Sequence, residues 1–372
     1  MKNSIIAKTK VSPLTARLTQ PFRIASGQHD SLENVLFQIE LKDGTRGYGE
    51  AAIATHITGE TLEGTIRNLE LAGDELAGRD ISDYLKLSAE YGEKLAGNPC
   101  ALAAVEMAVL DALTRQWKMP LWKFFGPRPR KLTTDITVVI GSVEESAEFA
   151  RQSYAKGFRA FKIKVGKNPE EDLERILAVH KAIRNSPVYL DANMAFDANG
   201  MLRFLKELSK KGCRPVMIEQ PVPKEDWEGL SQVSRESGIT VLADEGVRSL
   251  ADAVRIVRGR LAGGINIKLM KFGVFRSAEI ARLARSAGLK LMIGCMMESV
   301  LAITAAAHLA SGLGGFDYID LDTPFFVRPS EGDRLNKHPI NLSPSVRHLS
   351  ANGIYDLRRM REGIGVMPKN RQ

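Results

Sequence analysis

The chain has 372 residues, 44% of them hydrophobic, and a formal charge of +8. That much apolar material can form a barrel-sized core with an additional module, and it excludes a disordered or low-complexity protein. Basic residues alternate with acids along helical stretches, which argues against a nucleic-acid partner; no apolar run reaches membrane-span length, and the three separated cysteines, Cys100, Cys213 and Cys295, make neither a disulfide framework nor a Cys-x-x-Cys pair.

Met1 to Ile6 shows no secretory apolar core, so the cytoplasm is the expected address. Up to about residue 50, short alternating segments (Ser12–Leu18, Asn34–Leu41 and Arg46–Glu50) read as a small antiparallel sheet with a hairpin at Asp43-Gly44. Between them, Pro21–Leu32 is polar and contains glycine, which predicts an irregular loop able to act as a lid. A second loop, His56–Thr61, precedes helical periodicity over Leu62–Leu76, Ile81–Leu95 and Ala101–Trp117. Residues 1–125 are therefore expected to form an α+β capping domain.

From Lys131 onward short apolar strands alternate with amphipathic stretches. Eight strands are predicted: 136–140, 160–165, 188–191, 216–219, 240–244, 265–269, 290–293 and 318–320. Strand–helix repeats of this kind predict an α/β fold, a modified TIM barrel (β/α)7β over residues 126–325. The segment 326–372 is expected to return to the capping domain, its Arg358, Arg359, Arg361, Lys369 and Arg371 forming a solvated surface and tail.

Charges cluster at the carboxyl ends of these strands, where a strand gains no stability from them and a barrel builds its active site. Phe161-Lys162-Ile163-Lys164 sends two lysines to one face, because side chains alternate along a strand. In isolation that pattern is an edge strand with a solvated face. Asp191 with Asn193, then Glu219, then Asp244 follow on the next three strands; unpaired carboxylates so crowded imply a cation, and an all-oxygen set suits Mg2+ or Mn2+, the alternative being ion pairing with the lysines alone. Lys268 on the sixth strand should face Lys164 across the mouth. With a substrate carboxylate on the cation, one amine can remove an α-proton and the other return it on the opposite face. Lys162 would add charge near the enolate oxygen and depress the pKa of Lys164. Asp320 and Asp322 on the eighth strand could grip a cationic group. Barrel lysines also make Schiff bases with carbonyl substrates, and a non-catalytic binder could retain the fold.

This set, Lys-x-Lys, Asp-x-Asn, Glu-Gln-Pro, Asp-Glu and the lysine of Asn266-Ile267-Lys268, resembles the enolase superfamily and its muconate-lactonising subgroup over essentially the whole chain. The resemblance implies one Mg2+ per subunit held by Asp191, Glu219 and Asp244, with Lys164 and Lys268 as acid/base pair and Lys162 assisting. Asp320-Leu321-Asp322, Gly294–Ser299 and His56–Thr61 look like dipeptide epimerases, in which the two aspartates bind the substrate ammonium and a threonine at the position of Thr137 contacts substrate. Cycloisomerisation, o-succinylbenzoate synthesis and N-acylamino acid racemisation are the alternatives within the subgroup. Members that act on Ala-Glu carry a lid arginine where Gly27 aligns here. With Ile24, Met296 and Met297 nearby, the C-terminal residue of the dipeptide is expected to be apolar or uncharged, with a cationic one as the alternative, and Arg23 is the one candidate replacement for the arginine. Gly246 stands where a serine is usual, with an expected effect on pocket shape. Glu298 is a candidate hydrogen-bond partner of the substrate carboxylate or of a lysine, and His29 and His56 are candidate pocket residues. His308 and Cys295 read as packing residues, and a homo-oligomer is expected.

Overall fold

The computed structural model describes residues 2–25, 27–328 and 348–366, apart from the side chains of Lys2 and His56. Three antiparallel strands open the chain: β1 (Ile6–Ile24), β2 (Gly27–Leu41) and β3 (Arg46–Ala51), adjacent in that order. Gly44, with φ of 84°, makes the turn between β2 and β3. The stretch Pro21–Leu32 is not an irregular loop. It is the far end of the β1–β2 hairpin, with Phe22 opposite His29 and Ile24 opposite Gly27. Its polar composition hides an alternation: Phe22 and Ile24 are buried, while Arg23 between them donates to Gln28 across the hairpin at 2.9 Å. The Ile140 N–H donates to the Arg23 carbonyl at 3.1 Å, so the expected lid is a strand pair tethered to the barrel.

Helices α1 (Thr55–Thr58), α2 (Leu62–Leu76), α3 (Tyr84–Lys94), α4 (Pro99–Gln116) and α5 (Trp122–Phe125) follow. Most of α4 is buried, and the alternating glycines of Arg46-Gly47-Tyr48-Gly49-Glu50 explain how it lies so close to β3. A Cβ on Gly47 would fall 2.0 Å from the Ala108 carbonyl oxygen, and one on Gly49 would fall 1.9 Å from that of Ala104. Only a bare strand face admits a helix backbone at that distance. The alternation sends Glu50 to the other side, toward the barrel.

After β4 (Leu132–Thr133) come eight parallel strands adjacent in sequence order: β5 (Ile136–Val138), β6 (Phe161–Lys164), β7 (Val188–Asp191), β8 (Met217–Glu219), β9 (Thr240–Ala243), β10 (Gly264–Ile267), β11 (Lys290–Ile293) and β12 (Tyr318–Ile319). The first and last are joined by the Asp135 N–H on the Ile319 carbonyl at 2.9 Å and the Leu321 N–H on Thr134 Oγ1 at 2.8 Å. Seven helices alternate with them: α6 (Val143–Lys156), α7 (Pro169–Ala182), α8 (Ala198–Lys210), α9 (Trp227–Glu236), α10 (Leu250–Gly259), α11 (Leu269–Ser286) and α12 (Val300–Leu313). Six of them start on a side-chain cap, Ser142, Asn168, Asp197, Asp226, Ser249 and Ser299 respectively. The exception is α11, whose cap position holds Lys268 with no side-chain capping bond. Forgoing a cap costs about 1 kcal/mol, and the residue at that position is the lysine expected from the sequence to belong to the acid/base pair.

Met217, Leu242, Met292 and Tyr318, with Tyr189 against them, pack together inside the barrel, below the charged mouth. Beyond β12 the chain returns to the first sheet, where the Thr19 N–H donates to Phe326 and the Arg328 N–H to Arg17. The described tail adds β13 (Ile354–Tyr355), which pairs with β4. There Arg358, Arg359 and Arg361 are exposed, while Lys369 and Arg371 lie outside the described residues. His308 is a packed helix residue with a specific job. Its Nδ1 accepts the Trp122 N–H at 2.9 Å, so Nε2 carries the hydrogen to the Ile364 carbonyl at 3.1 Å, stitching α12 to the tail. Among the described residues no helix is long and apolar enough to cross a membrane.

Candidate active site

Lys162 and Lys164 point into the barrel and are 2% and 7% exposed, which excludes a solvated edge-strand face. Lys162 Nζ lies 2.6 Å from Asp320 Oδ2, 2.9 Å from Glu219 Oε2 and 3.1 Å from Asp191 Oδ2. Burial works to lower its pKa, but Asp320, Glu219 and Asp191 more than reverse that and hold the ammonium charged. Lys164 Nζ donates to Asp191 Oδ2 at 2.6 Å and to Asn193 Oδ1 at 3.3 Å. Lys268 Nζ lies 2.6 Å from Asp244 Oδ2 and 3.7 Å from Glu219 Oε1.

Asp191 and Glu219 end adjacent strands as register partners, and Asp244 immediately follows β9. All three are buried. Glu219 is pushed up to about 8 by burial and by Asp191 beside it. Burial also acts to raise Asp191 and Asp244, yet Lys164 and Lys162 keep the first low, and Lys268 and Lys271 the second. Asn266 Nδ2 fixes Glu219 Oε1 at 2.6 Å, and the Asn193 N–H fixes Asp191 Oδ1 at 3.2 Å. This donor set is all oxygen, from three neighbouring strand ends, with its negative charge offset by interleaved lysines. It fits a hard divalent cation such as Mg2+.

The Gln220 of Glu-Gln-Pro organises the next loop: its Oε1 accepts from the N–H groups of Asp244 and Gly246 at 2.9 and 3.1 Å. Positive φ at Asn193 (40°), Met194 (69°) and Gln220 (35°) marks local strain at these strand ends, as expected where side chains are aimed for a purpose. A Cβ on Gly246 would meet that same Gln220 oxygen at 3.3 Å, so the missing serine faces the loop scaffold and not the pocket wall.

Just beyond β12, Asp320 is bound to Lys162, and Asp322 Oδ2 accepts the Thr137 N–H at 2.6 Å across the barrel seam. Burial, with Asp320 next to it, pushes Asp322 up to about 7. Lys162, Lys164, Lys268, Asn193, Thr137, Asp320 and Asp322 all line one cavity, whose other walls are Phe22, Ile24, His29, Ile53, Ala54, Ile57, Cys295, Met296, Met297 and Thr323. Two expected contacts are not brought there. Gly27 is exposed at the hairpin tip with nothing near its Cβ position. Glu298 is buried beside the cavity instead of lining it: its Oε1 accepts the Met296 N–H at 2.8 Å, and burial pushes it up to about 8. Arg23 is turned to Gln28, and the His56 side chain lies outside the described residues.

Residues 6–126 match the mandelate racemase/muconate lactonizing enzyme N-terminal domain, and residues 145–367 match the enolase C-terminal domain-like family. The chain belongs to the mandelate racemase/muconate lactonizing enzyme family of the enolase superfamily. Among its relatives in that family, the hydrophobic dipeptide epimerase of Citrifermentans bemidjiense is 48% identical over 96% of both chains. The aromatic dipeptide epimerase of Herpetosiphon aurantiacus is 43% identical over 83% of this chain and 87% of its own. A dipeptide epimerase from Enterococcus faecalis V583, solved with Mg and the dipeptide L-Leu-L-Tyr, superposes with a TM-score of 0.89 at 31% identity, covering 98% of this chain and 99% of that one.

Three side chains of this superfamily member are absent from the sequence expectations. Lys271, in the first turn of α11, donates to Asp244 Oδ1 at 2.7 Å and to the carbonyls of Asp244 and Asn266. Asp135, just before β5, is buried, and burial together with Asp320 and Asp322 raises its pKa well above the carboxylate range. Glu50, from the capping sheet, accepts the Ser299 and Ala302 N–H groups at 2.8 and 3.2 Å, while Asn34 bridges Glu50 and the Met297 carbonyl. That clamp sets the segment bearing Met296 and Met297. An acid immediately after a pair of spaced glycines, Gly47 and Gly49, was the available signal for Glu50; Asp135 and Lys271 carried none.

Proposed function

We propose that the chain epimerises dipeptides at the α-carbon of the C-terminal residue by 1,1-proton transfer, and that the inverted residue bears an apolar or uncharged side chain. The observation that carries this reading is that Lys164 and Lys268 enter one cavity from β6 and the end of β10, each against a different carboxylate, with Asp320 and Asp322 on the same cavity wall. In this assignment Asp191, Glu219 and Asp244 hold Mg2+, which supplies Lewis-acid stabilisation of the charge that develops on the substrate carboxylate. Lys164 and Lys268 take and return the α-proton on opposite faces. Lys162, held charged by its carboxylate neighbours, adds a fixed positive charge at the same end of the cavity. Asp320 and Asp322 receive the α-ammonium group, with Thr137 and Asn193 at the cavity wall beside them.

Phe22, Ile24, Ile53, Ile57, Met296 and Met297 supply the surface for the side chains, and no arginine lines the cavity among the described residues. A glutamate side chain there would lose its hydration without gaining a partner. Cycloisomerase and o-succinylbenzoate synthase substrates bring no cation for Asp320 and Asp322, which favours the epimerase reading over them. Soluble L-Ala-L-Xaa and L-Xaa-L-Xaa dipeptides, each incubated with the Mg2+-loaded enzyme and resolved into diastereomers, test the assignment. The expected substrates have Leu, Phe, Tyr or Met at the C-terminus, and conversion confined to Ala-Glu would refute the side-chain reading.

A further inference from the structure

We propose that Cys295, Asp320 and Asp322, backed by Asp135, form a second cation site, separate from the Asp191–Glu219–Asp244 set, that takes a soft divalent cation such as Zn2+ or Cd2+. One ligand atom from each of Cys295, Asp320 and Asp322 lies within 4.8 Å of the others. The Asp320 and Asp322 oxygens engaged by Lys162 and by the Thr137 N–H are Oδ2 in both cases, and the proposed ligands are the opposite oxygens.

Asp135 supplies the independent sign that a positive group belongs there. It is 1% exposed, no N–H or hydroxyl among the described residues donates to either of its carboxylate oxygens, and the group beside it is the Asp320 carboxyl. Its electrostatic neighbours are Asp320 and Asp322. Three buried acid groups thus crowd one fixed ammonium, Lys162, and in a low-dielectric site such crowding is relieved only by protons or by a further cation. During turnover the dipeptide ammonium relieves it; this clause rests on the proposed function. Outside turnover a metal cation can do so, and the sulfur of Cys295 selects among cations. Mg2+ prefers an all-oxygen set, whereas a thiolate favours Zn2+ or Cd2+. On coordination the Cys295 thiol gives its proton to solvent, and a sulfur lone pair goes to the metal. Occupancy excludes the ammonium, so such a cation inhibits in competition with the dipeptide while the Mg2+ site stays filled.

The test uses full-length protein saturated with Mg2+ and titrated with cadmium chloride, following the ultraviolet sulfur-to-cadmium charge-transfer band. The expected result is a band that saturates at one cadmium per chain, persists in the Cys100→Ala/Cys213→Ala double variant and disappears in Cys295→Ser. Should Cys295→Ser fold poorly, Asp322→Asn serves in its place, because its amide oxygen still accepts the Thr137 N–H; the cadmium affinity should fall by about tenfold or more. A band that survives Cys295→Ser, or no band at stoichiometric cadmium, overturns the site. Suppression of the band by an apolar dipeptide supports both the site and the ammonium role. A cysteine-dependent band indifferent to the dipeptide supports the cation site and counts against the ammonium role of Asp320 and Asp322 alone.

Discussion

Lys268 and Lys271 hold opposite oxygens of one carboxylate: Lys268 Nζ is 2.6 Å from Asp244 Oδ2, and Lys271 Nζ is 2.7 Å from Asp244 Oδ1. The two lysines differ in what else they touch. Lys268 lines the cavity, while Lys271 is bound to two backbone carbonyls and faces away from it. The first is the proposed acid/base group, and the second orients a proposed metal ligand. Lys271→Met therefore leaves Asp244 half-paired and two buried carbonyls without a donor, and should destabilise the fold by about 3 kcal/mol. It should also weaken Mg2+ binding. Urea denaturation and calorimetric titration with Mg2+ check both, and unchanged values for the two would remove Lys271 from the site.

Lys164 and Lys268 are assigned to opposite faces of the substrate, so their losses should be distinguishable. Lys164→Ala and Lys268→Ala should each lower epimerisation at least ~100-fold. Each variant should still exchange the α-hydrogen of one diastereomer with solvent, and the two variants should choose opposite diastereomers. Measuring exchange from L,L and L,D dipeptides separately by mass reads this out; the same preference in both variants would contradict the two-face assignment.

Side-chain selection is assigned to the apolar wall, in which Ile24 sits at the end of β1. Ile24→Arg should raise kcat/KM for L-Ala-L-Glu relative to L-Ala-L-Leu by roughly tenfold or more. Gly27→Arg should change the ratio far less, because its Cβ would point into open space at the hairpin tip. Paired kcat/KM measurements decide the matter.

The stitch made by His308 gives a pH dependence remote from the catalytic groups. Burial lowers its pKa from 6.5 to about 3, so the unfolded chain binds a proton that the folded one refuses. The neutral ring's contribution is complete above pH 6.5 and is lost as pH falls toward 3, at up to ~1.4 kcal/mol per pH unit. Buried carboxylates such as Glu106, raised to about 7 by burial, act in the opposite direction. The difference between wild type and His308→Gln isolates the histidine. Gln preserves one donor and one acceptor, so the stability gap should shrink between pH 7 and pH 5 in urea denaturation. A constant gap would show that His308 does not titrate on unfolding.

Much of this was legible in the sequence because two periods carried it. The period of two along β6 put Lys162 and Lys164 on one face, and the strand–helix repeat located Asp191, Glu219, Asp244 and Asp320 at the same end of the barrel. What escaped notice depends on long-range packing. Pairing across the β1–β2 hairpin overrode the loop-like composition of Pro21–Leu32, through the buried positions Phe22 and Ile24. Asp135 acquires meaning only when β12 closes against β5. Lys271 does so only because α11 is kinked at Gly273, whose φ is 75°, leaving a short first turn that carries the lysine back to Asp244. The following turn is held by Glu106 of α4, which accepts the Phe275 N–H at 3.1 Å.

The most direct measurement is incubation of the Mg2+-loaded enzyme with an L,L-dipeptide bearing an apolar C-terminal residue in D2O, followed by mass spectrometry and proton NMR of the recovered peptide. The account predicts a mass gain of one deuterium, located at the α-carbon of the C-terminal residue, together with the appearance of the L,D diastereomer. Deuterium at the N-terminal α-carbon, a new carbon skeleton, or unlabelled and unconverted peptide across the apolar series would contradict it.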